Sequence, residues 1–269
     1  MTTNIIFFFS SVAFFYVVAY LAFGMWFRGN RSTYMKIFLA MGLTISTWAL
    51  FNGLLVLLSE ELSQRMYPLF LPLTCIVPAL MMLYSLHFTG SKFANSRTLT
   101  TVMSIMVTVN VLMILTNPWH HELYSGFDGP LPIAGRWFPV HALIAYSFLL
   151  TAYFVFFHFI IKNIRKTPSL LFVGFAMILP VIVNALFTFD ILHLGFDITP
   201  FAFLIMFFVF SIYSINLRLF DNRRAAFFNL FSRLSDAFLV MDSAGRVTDA
   251  NPSFKKIFSA LELKFHKTT

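Results

Sequence analysis

The stretch IIFFFSSVAFFYVVAYLAFGMWF, from Ile5 to Phe27, contains no charged residue and decides the fold class of the chain. A hydrocarbon core about 30 Å thick is crossed by roughly 20 apolar residues in a helix, so this stretch is long enough to span a membrane. It has no basic segment before it and no small-residue cleavage site after it. We therefore expect a retained anchor rather than a signal peptide.

The rest of the chain has the same character, because 59% of its 269 residues are hydrophobic, 19% are aromatic and only 11% are charged. A soluble domain of that composition would expose too much apolar surface. Counting the first stretch, we place seven spans at 5–27, 36–58, 67–88, 98–115, 140–161, 169–189 and 199–216. The predicted fold class is an all-α membrane protein, a bundle of seven transmembrane helices.

Lysine and arginine are unevenly divided between the two sets of short loops. One set carries only Arg65 and Arg136. The other set carries Arg28, Arg31, Lys36, Lys92, Arg97, Lys162, Arg165 and Lys166. Because cytoplasmic loops are enriched in basic residues, we expect the N-terminus outside and the C-terminus inside the plasma membrane. This bias explains the formal net charge of +8, and we expect no nucleic-acid partner.

The composition changes after the seventh span. Residues 217–235 have mixed charge, and Phe220, Phe227 and Leu234 recur every seven residues, with Leu217 and Phe231 on a neighbouring line. This short heptad pattern predicts a cytoplasmic linker helix that continues the seventh span. An amphipathic helix lying on the membrane surface is the alternative.

The segment AFLVMDSAGRVTDANPSFKKIF predicts two short strands joined by an Ala-Gly turn, followed by a helix that starts at Asn-Pro. From Asp236 to Phe258 it resembles the opening of a PAS sensory domain, with Asp242, Gly245, Asn251 and Pro252 in the usual places of that family. Such a fold takes on the order of a hundred residues. We therefore expect residues 236–269 to be an incomplete PAS-like α/β segment, either a piece of a longer protein or a vestige.

A second resemblance covers the membrane part, about residues 5–220. It rests on the order and spacing of Trp48, Pro78, Thr116, Asn117, a histidine at 120 or 121, Pro180, Asn184 and the DITP sequence Asp197–Pro200. These features resemble the N-terminal seven-helix sensor region of prokaryotic histidine kinases, which also precedes diguanylate cyclase domains. The doubled histidine leaves open which of the two occupies the family's position.

The resemblance implies a membrane sensory receptor with a sensor domain at 1–216, a signalling linker at 217–235 and the PAS-like start at 236–269. It implies a homodimer, with a response regulator as the partner of an output domain further along the parent protein. The sequence has no phosphoacceptor histidine motif, no glycine-rich ATP-binding box and no cyclase signature. We expect this chain to catalyse nothing by itself and to need no cofactor.

Polar side chains within the spans are costly in lipid and are functional candidates for that reason. Trp48, Asn52 and Asn184 lie at similar depth in the outer half of their spans, where they would line one ligand pocket. Hydrogen bonding between helices is the alternative role of the asparagines. Thr199 followed by Pro200 predicts the start of the seventh helix, with Thr199 as its N-cap and Pro200 as its first helical residue. Asp197 would either orient that turn or balance a cationic ligand.

The stretch TNPWHHELY begins the longest loop on the predicted outer side. Because proline disfavours helical geometry at the residue before it, Thr116 and Asn117 would end the fourth span, and the residues after them would form a rim or lid of the pocket. Histidine is the residue type whose charge most readily changes in the physiological pH range, so His120 and His121 would make the receptor sensitive to external acidity.

A metal at the two histidines would need a third ligand such as Glu122, Asp190 or His193. Adjacent side chains on a helix diverge by about 100°, so we expect no metal site there.

The function that these features predict is a receptor for an extracytoplasmic or membrane-borne small molecule. It would signal through the seventh helix to a cytoplasmic output, most simply a histidine kinase of a two-component system, with membrane lipid as a further partner. The seventh span contains no lysine, which excludes a retinal-binding protein. A sensor for a diguanylate cyclase and a small seven-helix transporter stay open as alternatives, although we find no internal repeat.

Overall fold

The computed structural model describes residues 2–27, 33–128, 131–165, 167–188, 191, 196–241, 245 and 247–258. Its helices are α1 (Thr2–Phe27), α2 (Thr33–Leu55), α3 (Glu60–Phe70), α4 (Leu73–Phe88), α5 (Arg97–Leu115), α6 (Asn117–His120), α7 (Phe138–Asn163), α8 (Leu170–Thr188), α9 (Thr199–Arg233) and α10 (Pro252–Ile257). Its strands are β1 (Tyr124–Asp128), β2 (Leu131–Ala134), β3 (Leu239–Met241) and β4 (Val247–Ala250).

Within these residues, six helical segments are long and apolar enough to cross a membrane, with α3 and α4 counted as one segment. The part of α9 from Thr199 to Tyr213 is a shorter apolar helix. Helices account for 76% of the structure. The predicted fold class, an all-α membrane bundle, is confirmed.

The segment formed by α3 and α4 lies at the centre of the bundle. Its most apolar stretch is 67% buried, whereas the corresponding stretches of α1 and α5 are 17% buried. Helix α4 packs against α2 on one side and α7 on the other, and α1 packs against α2. The poorly buried helices are therefore left to face lipid.

An aromatic cluster joins four helices in this core. The ring of Tyr84 on α4 lies 5.1 Å from Phe38, 5.9 Å from Phe156 and 6.0 Å from Phe210, measured between centroids. Phe38 also stacks on Phe207 at 4.4 Å. Such offset and tilted pairs stabilise a core beyond simple burial. They pack the first third of α9, at Phe207 and Phe210, against α2, α4 and α7.

The third span differs from the expected single helix that starts at Tyr67. Helix α3 begins earlier, at Glu60, and the chain makes a turn at Leu71 and Pro72 before α4 starts. Pro72 has no N–H to donate to the carbonyl of Pro68, so the helical hydrogen-bond pattern is interrupted there. The early start brings Glu60 and Ser63 into the helical part of the bundle.

The long loop that begins with TNPWHHELY contains a β-hairpin that was not predicted from the sequence. Strands β1 and β2 pair antiparallel, with Asp128 opposite Leu131. The base of the hairpin is closed by Gly135 N donating to Leu123 O and Trp137 N donating to Glu122 O, both at 2.8 Å. Leu123 and Tyr124 pack with Leu71 and Ile114 in a small core. We call the end of the bundle with this hairpin the hairpin end.

Residues 211–269 form a second compact unit, and the division falls within α9. Strands β3 and β4 pair antiparallel, Gly245 has a φ of 76°, and Asn251 caps α10 by accepting from Phe254 N. The predicted order of strand, strand and helix is therefore present, and its assignment to a PAS domain stays a prediction. Asp242 lies outside the described residues, as do the side chains of Leu217, Phe220 and Phe227 that carry the heptad pattern.

Candidate ligand cavity

A cavity of about 630 Å³ opens at the hairpin end of the bundle. Its walls are formed mainly by the second half of α2, helix α3 with the turn after it, the hairpin, the first residue of α7, and the residues just before α9. Asn4 of α1, Thr74 of α4 and Phe187 of α8 complete the lining. This volume is within the usual range of small-molecule sites, about 300–1,000 Å³.

Two predicted residues of α2 line the cavity. Trp48 is 6% exposed and packs its ring against Phe203 of α9, with the ring centroids 6.1 Å apart. Asn52 lies one turn further along the helix and donates from Nδ2 to the Trp48 carbonyl at 3.2 Å. No described residue donates to its Oδ1. Asn52 therefore has a free acceptor in the wall of the cavity.

Helix α3 adds a second unsatisfied group. Ser63 is 1% exposed, and its hydroxyl has no hydrogen-bond partner among the described residues. Burying a hydroxyl without a partner costs about 1–3 kcal/mol. Because Ser63 lines the cavity, a polar ligand atom would recover this cost.

Asp197 lies in the wall of the cavity at the start of α9. Its Oδ1 accepts from Thr199 N at 2.8 Å, so the carboxylate caps the first helical residue. The sequence predicted Thr199 as the cap, whereas the structure has Thr199 as the first residue of the helix. Burial raises the pKa of Asp197 above the ordinary carboxyl value, and hydrogen bonds from Thr199 act in the opposite direction.

A chain of side chains leads from Asp197 to two other helices. Asn184 of α8 donates from Nδ2 to Thr199 Oγ1 at 3.5 Å and accepts at Oδ1 from the Tyr146 hydroxyl of α7 at 2.6 Å. Asn184 and Thr199 are thus in contact with each other. Asp197 lines the cavity, whereas Asn184 and Thr199 do not.

The four candidates at the start of TNPWHHELY lie beside the cavity and are absent from its lining. Asn117 is fully buried, where its Oδ1 accepts from Leu123 N at 2.8 Å and Tyr124 N at 3.2 Å, and its Nδ2 donates to Tyr124 O at 3.0 Å. Thr116 Oγ1 donates to Leu112 O at 2.7 Å. These bonds hold the loop against the end of α5.

The histidines of this stretch are exposed. His120 accepts at Nδ1 from Glu122 N at 3.0 Å, and His121 has a φ of 55° at the end of α6. No group of three metal-ligating side chains occurs among the described residues, and Asp190 and His193 lie outside them. The acid-sensing role of His120 and His121 stays a prediction.

The hairpin itself supplies Leu123, Tyr124, Pro132 and Ala134 to the cavity wall. The rim that we expected in this loop is therefore formed mainly by residues that come after the histidines. The sequence Asp128-Gly-Pro, between two short runs that contain β-formers, is the signal from which such a hairpin can be predicted.

A polar cluster deeper in the bundle was also missed. His141 Nδ1 lies 2.7 Å from Asn110 Oδ1, and His141 Nε2 lies 3.4 Å from the hydroxyl of Thr74, which lines the cavity. An amide oxygen only accepts, so Nδ1 of His141 carries the proton in this arrangement. In the sequence His141 stands as an isolated residue, because its partners come from two other helices.

The fold and the cavity define a multi-pass helical membrane protein with a small-molecule-sized opening at one end. The chain belongs to the family of the N-terminal 7TM region of histidine kinase, whose model matches residues 6–222. This membership confirms the resemblance drawn from Trp48, Asn117 and the DITP sequence. Residues 6–222 therefore correspond to the membrane sensory region that the family describes, and such a region is a non-catalytic part of histidine kinases. Comparison with curated proteins and with solved structures gave no match.

Proposed function

We propose that the chain is a receptor that binds a small molecule in the cavity at the hairpin end and signals through α9 to a cytoplasmic output domain. The observation that carries this proposal is a cavity of about 630 Å³ whose wall contains two polar atoms without a hydrogen-bond partner among the described residues, the buried Ser63 Oγ and the Asn52 Oδ1. A kinase output would pass the signal to a response regulator.

The start of α9 lies where a ligand would act. Asp197 both lines the cavity and caps α9, and Trp48 contacts Phe203 one turn into the helix. A ligand that contacts Asp197 or Trp48 would therefore change the forces on the beginning of this helix. Signalling requires two arrangements of the helices, one at rest and one active. A ligand shifts the equilibrium between them only if it binds the two with unequal affinity.

Helix α9 is suited to carry such a shift over a distance. It runs for 35 residues from Thr199 to Arg233, and neither proline nor glycine comes after Pro200 within it. A rise of 1.5 Å per residue gives it a length of roughly 50 Å. A displacement at Thr199 would therefore reach the linker as a piston movement, a tilt or a rotation. The homodimer that we predict would convert this movement into a change of output.

The test uses the purified chain in lipid nanodiscs and a library that contains cationic, neutral and anionic small molecules. Binding at 100 times the dissociation constant stabilises the folded state by about 2.7 kcal/mol, which raises the thermal unfolding midpoint. We expect at least one library member to raise it. The same molecule is then applied to residues 1–235 fused to a kinase output whose autophosphorylation is measured.

The decisive variant is Ser63→Phe, which fills the cavity. We expect it to abolish both the thermal shift and the change in autophosphorylation. The matched control is Ser104→Phe, because Ser104 is exposed on α5 and does not line the cavity. If no library member of any charge class binds, or if binding survives in Ser63→Phe, the receptor function of this cavity is wrong.

A further inference from the structure

The charges around the cavity are unbalanced. Asp197 and Glu60 both line it, and no lysine, arginine or histidine occurs among its described lining residues. The two arginines of the predicted outer side are engaged elsewhere: Arg65 pairs with Glu61 at 2.5 Å, and Arg136 pairs with Glu122 at 2.8 Å. No ion pair of Asp197 is found in the described part of the chain.

The helix end beside Asp197 does not reverse this imbalance. A helix N-terminus favours an anion because its first amides are free and its dipole is positive. Here Asp197 Oδ1 already accepts from Thr199 N, so the protein's own carboxylate occupies that position. An anionic ligand would meet Asp197 rather than open amides, and like charges repel.

The cavity wall also suits a cation. It includes the rings of Trp48, Tyr67, Tyr124, Phe138 and Phe196, and Phe196 is next to Asp197 in the chain. The face of an aromatic ring attracts an ammonium group within about 6 Å of its centroid, most strongly for tryptophan. Aromatic walls around a carboxylate form a pattern that fits an organic cation with an apolar body.

The unsatisfied groups are consistent with the same class of ligand. In the described part of the chain, no group donates to Asn52 Oδ1, and the buried Ser63 Oγ has no hydrogen-bond partner. The N–H of a protonated amine or a hydroxyl on the ligand would complete them, whereas a quaternary ammonium has no N–H and would interact only through its charge. Burial raises the pKa of Asp197, and a bound cation would favour its ionised form.

We infer that the ligand is an organic cation, an amine or a quaternary ammonium on an apolar body, with Asp197 as its counter-ion. This inference rests on the proposed receptor function of the cavity and names the class of molecule it takes. A neutral molecule would leave Asp197 buried without a counter-charge.

The test compares three probes of nearly equal shape on the full chain in nanodiscs. They are phenylpropyl-trimethylammonium, its neutral tert-butyl isostere and phenylpentanoate. Equilibrium binding is measured with the signal of empty nanodiscs subtracted, because amphiphiles also enter lipid. We expect the ammonium to bind roughly tenfold more tightly than either of the others.

Two variants assign this preference to one residue. Asp197→Asn keeps an oxygen for the Thr199 amide and is expected to reduce the preference for the ammonium over the neutral isostere to less than threefold. Asp128→Asn is the matched control, because Asp128 is an exposed carboxylate of the hairpin outside the cavity lining, and the preference is expected to persist.

The inference is overturned if the wild-type chain binds the neutral isostere or the carboxylate as tightly as the ammonium. It is also overturned if the ammonium does not bind, or if its advantage survives in Asp197→Asn. Each of these results leaves the receptor function standing as long as another member of the mixed library binds in the cavity. The absence of binding by every charge class removes both proposals.

Discussion

Asn117 lies between the end of α5 and the hairpin, where it satisfies three backbone groups with one side-chain amide. Leu123 and Tyr124 are buried, and backbone N–H and C=O groups at buried positions need partners. Tyr124 N and O and Leu123 N all bond to this one residue. The position of the cavity rim thus depends on a residue that is not itself in the cavity lining.

We predict that Asn117→Ala destabilises the hairpin. Each buried backbone group left without a partner costs about 1–3 kcal/mol, so amide hydrogen exchange at Leu123 and Tyr124 should be at least roughly tenfold faster. The thermal midpoint of the bundle should fall as well. Hydrogen–deuterium exchange with mass spectrometry on the chain in nanodiscs measures the first effect.

The matched control for this prediction is His121→Asn. His121 is exposed in a left-handed conformation that asparagine tolerates. The free energy of unfolding should therefore change by no more than about 0.5 kcal/mol. Equal exchange in Asn117→Ala and in the wild type would show that the hairpin does not depend on Asn117.

The sequence allowed some cavity residues to be predicted and not others. Trp48 and Asn52 could be found because a large ring and an amide one turn apart in a lipid-spanning helix are unusual. Ser63 and Thr74 could not be predicted as cavity residues from the sequence. Serine and threonine are common in helices, and only the neighbours of the hydroxyl show whether it faces a cavity. His141 needed the partner Asn110, which lies 31 residues away on another helix.

At the scale of elements, α9 is both a wall of the core and the connection to the strand and helix at residues 239–257. Phe203, Phe207 and Phe210 pack in the bundle, while the helix continues to Arg233. Asn251 bonds to the residues that follow the end of α9. Its Nδ2 donates to Asp236 O at 2.8 Å and to Leu234 O at 3.3 Å. We propose that a movement of α9 is passed along its backbone to the segment that begins β3.

We predict that a flexible break in α9 uncouples sensing from output. In the fusion of residues 1–235 to a kinase, four glycines inserted after Asn222 should reduce the ligand-dependent change in autophosphorylation at least fivefold. The physical reason is that a glycine run does not keep a helical backbone rigid. The basal kinase activity and the binding of the ligand should persist.

The control carries the same four glycines after Phe93, in the turn between α4 and α5, where the chain is not helical. It should keep the ligand response. If the response also survives the break after Asn222, transmission through a rigid α9 is wrong.

Predictions of helices and strands succeeded or failed for physical reasons. The ends of α1, α5 and α7 lie within three residues of the predicted ends, because span length is set by membrane thickness and marked by polar flanks. The turn at Pro72 was missed because proline within an apolar run also occurs in kinked, continuous helices. The hairpin was missed because β1 and β2 are only five and four residues long.

At the scale of the whole molecule, the exterior of the bundle is as apolar as its core. Helix α1 exposes Phe9, Tyr16, Tyr20 and Phe23, each by more than 60%. In a membrane these side chains contact lipid tails, so their exposure has no hydrophobic cost. Bundle stability then depends on close packing, as at Gly42, where any Cβ would collide with the ring of Phe207.

The orientation of the chain is a prediction that rests on loop charge alone, and the single cysteine makes it directly testable. Cys75 is fully buried, so it gives little background with a membrane-impermeant maleimide. Cysteine is introduced at two exposed positions, Ser125→Cys in the hairpin and Asn95→Cys in the α4–α5 turn. Because Lys92 and Arg97 flank Asn95 and basic loops stay cytoplasmic, only Ser125→Cys should be labelled in intact cells. Asn95→Cys should react only after the cells are opened. The reverse pattern would place the cavity on the cytoplasmic side and exclude an external ligand.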